Sequence, residues 1–262
     1  MRKKARIHIR KGGLAGGLTV LFAISALAQE FSSKGPVVAF APPDNEAILA
    51  QTIDSSSPYY YPALYLRYMT GDTTLTTQDY HYLYYGYAFQ EHYRPLETIP
   101  VQDRILVIFE QNPEPDSLAC TKIIEYAHQV MRADPFSPAN LNFLIYAYGK
   151  TGNYDKERLY RIRLDSITHV IRSSGEGTRE KSPWHVLFFS HASDMVTMMG
   201  LQPLKRIVIS RSVEFIPLYQ KQGKAKGFYF DFSRVYRNRP EARPQQRPGW
   251  EVNGIKLNRN KP

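Results

Sequence analysis

Cysteine is nearly missing from this chain: Cys120 is the only one in 262 residues. No intramolecular disulfide can form, so the fold must rest on its core even in a compartment that permits disulfides. Cys120 sits among Leu118, Ala119 and Ile123 and reads as a small buried apolar group, with no base beside it to activate the thiol. The HExxH and CxxC spacings of metal sites are also missing, as is a lysine-bearing phosphate loop. No metal and no cofactor is therefore expected. No apolar run approaches the roughly 20 residues that a membrane-spanning helix needs. Acidic residues are absent from the first 28 positions.

That last absence marks a leader. Arg2, Lys3, Lys4, Arg6, Arg10 and Lys11 form a cationic start, a short apolar stretch runs from Leu14 to Ser25, and Ala26-Leu27-Ala28 follows. Small residues at the first and third of those positions fit a signal-peptidase pocket, which predicts cleavage between Ala28 and Gln29 and export to the periplasm or beyond. The leader also explains much of the charge. The chain has 34 Lys+Arg against 24 Asp+Glu, but the leader takes six of the bases and the tail from Arg234 takes eight, with two acids. The body between them is left with 20 bases and 22 acids. A basic folded face is not expected, which argues against a nucleic-acid partner.

The remaining chain is long enough for a real core. Residues 29–57, with Pro36, Pro42, Pro43 and a serine run, read as a largely extended lead-in. A body over 58–237 follows, helical over 58–172 and β-containing over 173–237. Ser57-Pro58 reads as a helix start, and Tyr61, Tyr65 and Tyr68 recur at helical spacing up to Gly71. Thr76-Thr77-Gln78-Asp79 reads as a capping box, with Asp79 in place of the usual Glu. Tyr80, Leu83, Tyr84 and Tyr87 line one face of the helix it opens, and Tyr82, Tyr85 and Phe89 line another. Val101 to Phe109 fits helix or strand. Three helical patterns run from Asp116 to Ile171, broken at Asp134-Pro135 and at Gly149 to Asn153. Leu141, Leu144, Tyr148, Gly152 and Tyr154 resemble a tetratricopeptide hairpin, with Glu157 standing where that pattern has a small alanine.

The period changes after Arg172. Ser174 to Thr178 reads as a turn-rich loop, and Trp184 to Ser190 as a buried strand followed by a helix from Ser193 to Gly200. Leu204 to Tyr219 and Phe228 to Val235 alternate as the two strands of an antiparallel hairpin, joined by a turn from Gln220 to Gly227. The expected fold is α+β: N-terminal helical hairpins with a tetratricopeptide-like stretch, then a small, mostly antiparallel β portion. Residues 238–262 form a basic, proline-rich tail. Its Arg-Pro pairs favour extended chain that suits contact with an acidic surface, and Asn253-Gly254 predicts a hairpin over Trp250 to Leu257.

Several separated segments resemble one family. They are Tyr59-Tyr60-Tyr61-Pro62 with Arg67-Tyr68, then Asp72-Thr73-Thr74-Leu75-Thr76, then Tyr80 to Gly86. Ser174-Gly175-Glu176-Gly177-Thr178, His185-Val186 and Gly227-Phe228-Tyr229-Phe230-Asp231 follow in order. Together they look like the domain of unknown function 4919 family over roughly Ser55 to Arg237. The resemblance implies an exported protein of Gram-negative bacteria and carries no activity to transfer.

Three candidate sites follow from residue types. His185, His191 and Asp194 would serve acid–base or hydrolytic chemistry if a strand end and a helix start brought them together. Gly175 and Gly177 would let successive backbone N–H groups face an anion. Tyr82, Tyr85 and Tyr148 would stack on a glycan, peptide or aromatic ligand. The leading expectation is a non-enzymatic interaction module with an envelope protein or peptide as partner. A small envelope hydrolase and a glycan or small-ligand binder are the alternatives.

Overall fold

The computed structural model describes residues 40–223, 225–238, 251–252 and 255–256. The expected leader, 1–28, and the Arg-Pro pairs of the tail lie outside them. The first helix, α1 (Asn45–Ile53), falls inside the stretch read as extended lead-in. Asp44 caps it by accepting from the amides of Glu46 (3.0 Å) and Ala47 (3.1 Å). The prolines end before it, and Ile48 and Thr52, one turn apart, give it a buried face.

Helix α2 (Tyr61–Thr70) starts later than Ser57-Pro58 suggested. The Ser57 hydroxyl instead accepts from the Tyr59 amide in a local turn, and Pro62 takes the place in the first helical turn where a missing N–H costs nothing. Gly71, at φ 85°, closes the helix. The capping box of α3 (Thr77–Gly86) forms as expected: Thr76 Oγ accepts from the Asp79 amide (3.1 Å) and Asp79 Oδ2 from the Thr76 amide (2.8 Å). A short 3-10 turn, Tyr87–Phe89, follows. The ambiguous Val101 segment is helix α4 (Val101–Gln111), with Ile105 and Phe109 buried one turn apart.

Helices α5 (Ser117–Ala133), α6 (Pro138–Lys150) and α7 (Tyr154–Ser173) form the body of the helical portion, with α6 packed against both neighbours. Ser137 caps α6, accepting from Asn140 N at 3.2 Å, and Pro138 is its first residue. Glu157 is accommodated because the small residue stands across from it: a Cβ on Gly149 would lie 3.1 Å from the Glu157 carboxylate. Cys120 is buried, as its neighbours suggested.

Four strands make one sheet in the order β1-β4-β3-β2: β1 (Trp184–His185), β2 (Ile207–Val208), β3 (Val213–Gln222) and β4 (Ala225–Asp231). The β3–β4 hairpin and the β2–β3 pair are antiparallel, while β1 joins β4 in parallel. Several expectations change here. The Leu204 to Tyr219 run is not one strand but divides into β2 and β3, which pair with each other. The hairpin turn is shorter than Gln220 to Gly227, because β3 continues to Gln222 and β4 starts at Ala225. The Trp184 strand stops at His185, because its partner β4 ends at Asp231 and the ladder runs out. Phe189 then opens α8 (Phe189–Met198), four residues before the expected start. Val235 belongs to a short helix, α9 (Ser233–Arg237), rather than to a strand. Two further strands, β5 (Glu251–Val252) and β6 (Ile255–Lys256), pair antiparallel where the tail hairpin was expected. The α+β class holds, and buried apolar side chains from Ile48 to Val235 form one continuous core.

Trp184 anchors the junction between helices and sheet. Its ring stacks on Phe228 (5.0 Å, 12°) and its indole N–H donates to Gly175 O (3.0 Å). Gly177 passes beneath with φ 71°, where an added Cβ would lie 2.5 Å from the ring. Gly200 has a similar φ of 73° but open space around it. Gly177→Ala should therefore cost about 2 kcal/mol or more, against about 1 kcal/mol for Gly200→Ala. Chemical denaturation of the two variants checks the difference; equal losses would remove the Trp184 packing argument.

Candidate functional site

His191 enters the core from the first turn of α8 and is completely buried. Its Nδ1 lies 2.8 Å from the Tyr84 hydroxyl and its Nε2 lies 2.9 Å from Asp134 Oδ2. Tyr84 comes from the last turn of α3 and Asp134 from the C-terminal cap of α5. Burial, with Tyr85 next to it, pushes the Tyr84 hydroxyl far above its ordinary range, so it keeps its proton. In the neutral tautomer that accepts this proton at Nδ1, Nε2–H donates to the Asp134 carboxylate. The ends of the chain are also satisfied: the Leu187 amide donates to the Tyr84 hydroxyl (3.3 Å) and the Phe136 amide to Asp134 Oδ1 (3.2 Å). An Asp-His-Tyr relay is assembled here, but all three members are closed to solvent.

Asp194 lies one helical turn beyond His191. Its Oδ2 accepts from the Ala139 amide (3.2 Å), in the first turn of α6, so it acts as a second cap for that helix. Burial pushes its carboxyl up to about 7; His191 and the Ala139 N–H oppose the shift, and the Asp134 carboxylate adds to it. His191 and Asp194 thus share one region.

His185 stands elsewhere, opposite Asp231 in the β1–β4 register. Its Nδ1 is 3.5 Å from Asp231 Oδ1. Asp231 also accepts from the Ser212 hydroxyl (2.8 Å) and the Ser233 amide (2.9 Å). Burial alone would raise the Asp231 carboxyl, but the neighbouring His185 ring and the hydrogen bonds from Ser233 hold it well below the carboxylate range. Arg234 lies over the Tyr85 ring (4.8 Å) and donates to Asn45 Oδ1 (2.6 Å), tying α9 to the start of α1. The order of groups matters chemically. A carboxylate sits between the serine and the histidine, whereas nucleophile activation needs the imidazole on the serine. Tyr84 and Asp134 as the partners of His191, and Asp231 as the neighbour of His185, were not anticipated. Asp231 lies within the Gly227 to Asp231 segment that carried the family resemblance.

The glycine loop is engaged internally. The Gly177 amide donates to Ser182 O (2.8 Å) and the Glu176 amide to Ser182 Oγ (2.9 Å), so these donors turn inward rather than toward an anion. A Cβ on Gly175 would strike Pro183 O. The tyrosines divide. Tyr85 is completely buried, its hydroxyl donating to His185 O (3.2 Å) and pushed up to about 12 by burial. Tyr148 is buried too, stacked on Tyr160 (5.5 Å, 5°), with its hydroxyl 2.9 Å from His128 Nε2. Tyr82 is half-buried and stacks on Tyr59 at 4.1 Å. Among the described residues, no group of three or more His, Cys, Asp or Glu is placed to hold a metal ion.

Asp194 makes stability depend on pH with a definite sign. Its folded pKa, about 7, lies above the ordinary 3.8, so the fold favours the protonated acid. That stabilisation is complete below about pH 4 and is lost as pH rises toward 7. Asp194→Asn keeps an acceptor for Ala139 N and carries no charge. It should raise Tm at pH 8 by several degrees and flatten the Tm profile between pH 5 and 8; an unchanged profile would contradict the assignment.

No curated protein and no solved structure matches the chain. A family model does, over residues 46–240, and it covers α1 to α9 with both histidine networks. The chain belongs to the family described as Domain of unknown function (DUF4919).

Proposed function

We propose that this protein is an exported, non-enzymatic interaction module whose helices present the contact surface to an envelope protein or peptide. The observation that supports this reading is where apolar and polar groups lie. Ile53, Leu66, Leu118 and Tyr154, on α1, α2, α5 and α7, are each more than three-fifths exposed, with Leu118 at 71 %. The Asp134–His191–Tyr84 chain, which has the residue types of a relay, is shut inside the core. Exposed apolar side chains on helices suit partner contact, whereas closed polar chains suit packing. An open concavity of about 470 Å³ over the α6–α7 turn, lined by Thr151 to Asp155, adds relief to that surface. Among the described residues no helix is long and apolar enough to cross a membrane.

The test uses the full chain in its native host, with a photo-crosslinking residue at position 66 or 154. One defined protein adduct, formed from a mature chain that begins at Gln29 and lost with Leu118→Glu, is expected. Adducts that ignore position, together with turnover of an envelope substrate abolished by His185→Ala, would overturn the reading in favour of the hydrolase.

A further inference from the structure

The outer edge of the sheet combines three features that seldom occur together. Strand β2 is the edge, and the chain around it is held to β3 by short-range pairing: Leu204 N to Pro217 O (2.8 Å), Tyr219 N to Gln202 O (3.0 Å) and Ile209 N to Val213 O (3.0 Å). Its apolar side chains are uncovered, with Val208 at 66 % exposed and Ile207, Ile209, Leu204 and Tyr219 all exposed. Edges of this kind are templates for another strand and are normally blunted by charge or proline. Here the charge flanks the strand rather than interrupting it, in the order Lys205-Arg206-Ile207-Val208-Ile209-Ser210-Arg211.

The flanking charge has one sign. Between Gln202 and Phe230 the chain carries six basic residues and a single acid, Glu214, although the body as a whole is slightly acidic. Glu214 is buried and paired with Arg206 (2.9 Å), whose guanidinium also lies over Phe189 (3.7 Å). Lys205 and Arg211 remain exposed at the two ends of the apolar triplet, with Lys221 and Lys226 near the β3–β4 turn.

From this we infer that β2 is a docking edge for an extended peptide segment whose alternating apolar residues are flanked by acids. Main-chain pairing would supply the attraction, and the basic ends would supply register and sign. The same charges argue against other occupants. A second copy laid antiparallel would set Lys205 and Arg206 opposite Arg211, and the chain's own tail is basic. A lipid surface fits less well, because Val208 shares the pleat face of Glu214 while Ile207 shares that of Phe215. Apolar groups on opposite faces of a strand cannot enter one plane together.

The test is fluorescence anisotropy of the full mature chain with a labelled peptide of alternating valine and threonine carrying two aspartates at each end. The same peptide ended in lysines and phosphatidylglycerol vesicles serve as comparisons. Saturable binding of the acidic peptide is expected. It should be at least tenfold weaker for the lysine peptide and for a Lys205→Glu, Arg211→Glu double variant, and it should weaken with salt. Both substitutions are on exposed side chains, and an unchanged melting curve verifies that the variant is folded. Equal binding of the two peptides, binding of neither, or binding to vesicles alone would overturn the inference.

Discussion

A phenol carried into a protein core brings a hydroxyl that must find a partner there. The aromatic block between Tyr59 and Tyr93 carries many such groups, and their partners are spread across the fold. Tyr68 donates to Pro135 O (2.8 Å) and Tyr87 to Ala133 O (3.0 Å), both at the α5–α6 joint. Tyr93 donates to Leu187 O (2.5 Å), between β1 and α8, and Tyr85 to His185 O (3.2 Å), at the end of β1. Tyr84 reaches His191 and, through it, Asp134. Phe136 fills the space between Tyr68, Tyr84 and Tyr87. Helix α3 and the turn after it therefore act as a set of struts. They tie the joint of the helical portion to the entrance of the β portion.

This constraint also accounts for the residues that resembled chemistry in isolation. Ala133 O belongs to the last turn of α5, where a carbonyl has no helical partner, and a tyrosine hydroxyl supplies one. His191 gives Asp134 and Tyr84 a common partner in a place water does not reach. The Ser212 hydroxyl and the Ser233 amide satisfy Asp231, which otherwise would be a carboxylate buried at the end of β4, and His185 lies beside it. Gly177 lets the chain pass beneath Trp184, and Gly175 lets it pass against the Ser182–Pro183 backbone. With these groups engaged in structure, the candidates for recognition are the exposed apolar helices and the uncovered edge at β2.

What was legible in the sequence was local. The Thr76–Asp79 box, the Ser137-Pro138 start, the breaks at Gly71 and Asp134-Pro135, and the helices from Asp116 to Ile171 follow from caps and periodicity within a few residues. What was illegible depended on distant partners. Helix α1 hides among prolines and serines because only Ile48 and Thr52 face inward, and Thr52 packs where Gly86 leaves room. The Trp184 run looks like a longer strand because nothing local reveals that β4 stops at Asp231. His185 and His191 stand six residues apart and suggested one site. The chain turns between them, and each was drawn to a different carboxylate far away in sequence. The tyrosine faces were visible, but whether a ring meets a ligand or a backbone carbonyl is decided by elements that have no mark in the block itself.

Struts that join both portions through tyrosine hydroxyls make the helical and β portions unfold as one. The most direct measurement is urea denaturation of the Trp250→Phe chain, which leaves Trp184 as the lone tryptophan, followed by both far-ultraviolet circular dichroism and tryptophan fluorescence. Dichroism reports the helices and fluorescence the junction with the sheet. One transition is expected, with the same midpoint and slope by both probes. Loss of the fluorescence signal at lower urea, with the helices still intact, would show that the β portion rests on its own contacts and would contradict it.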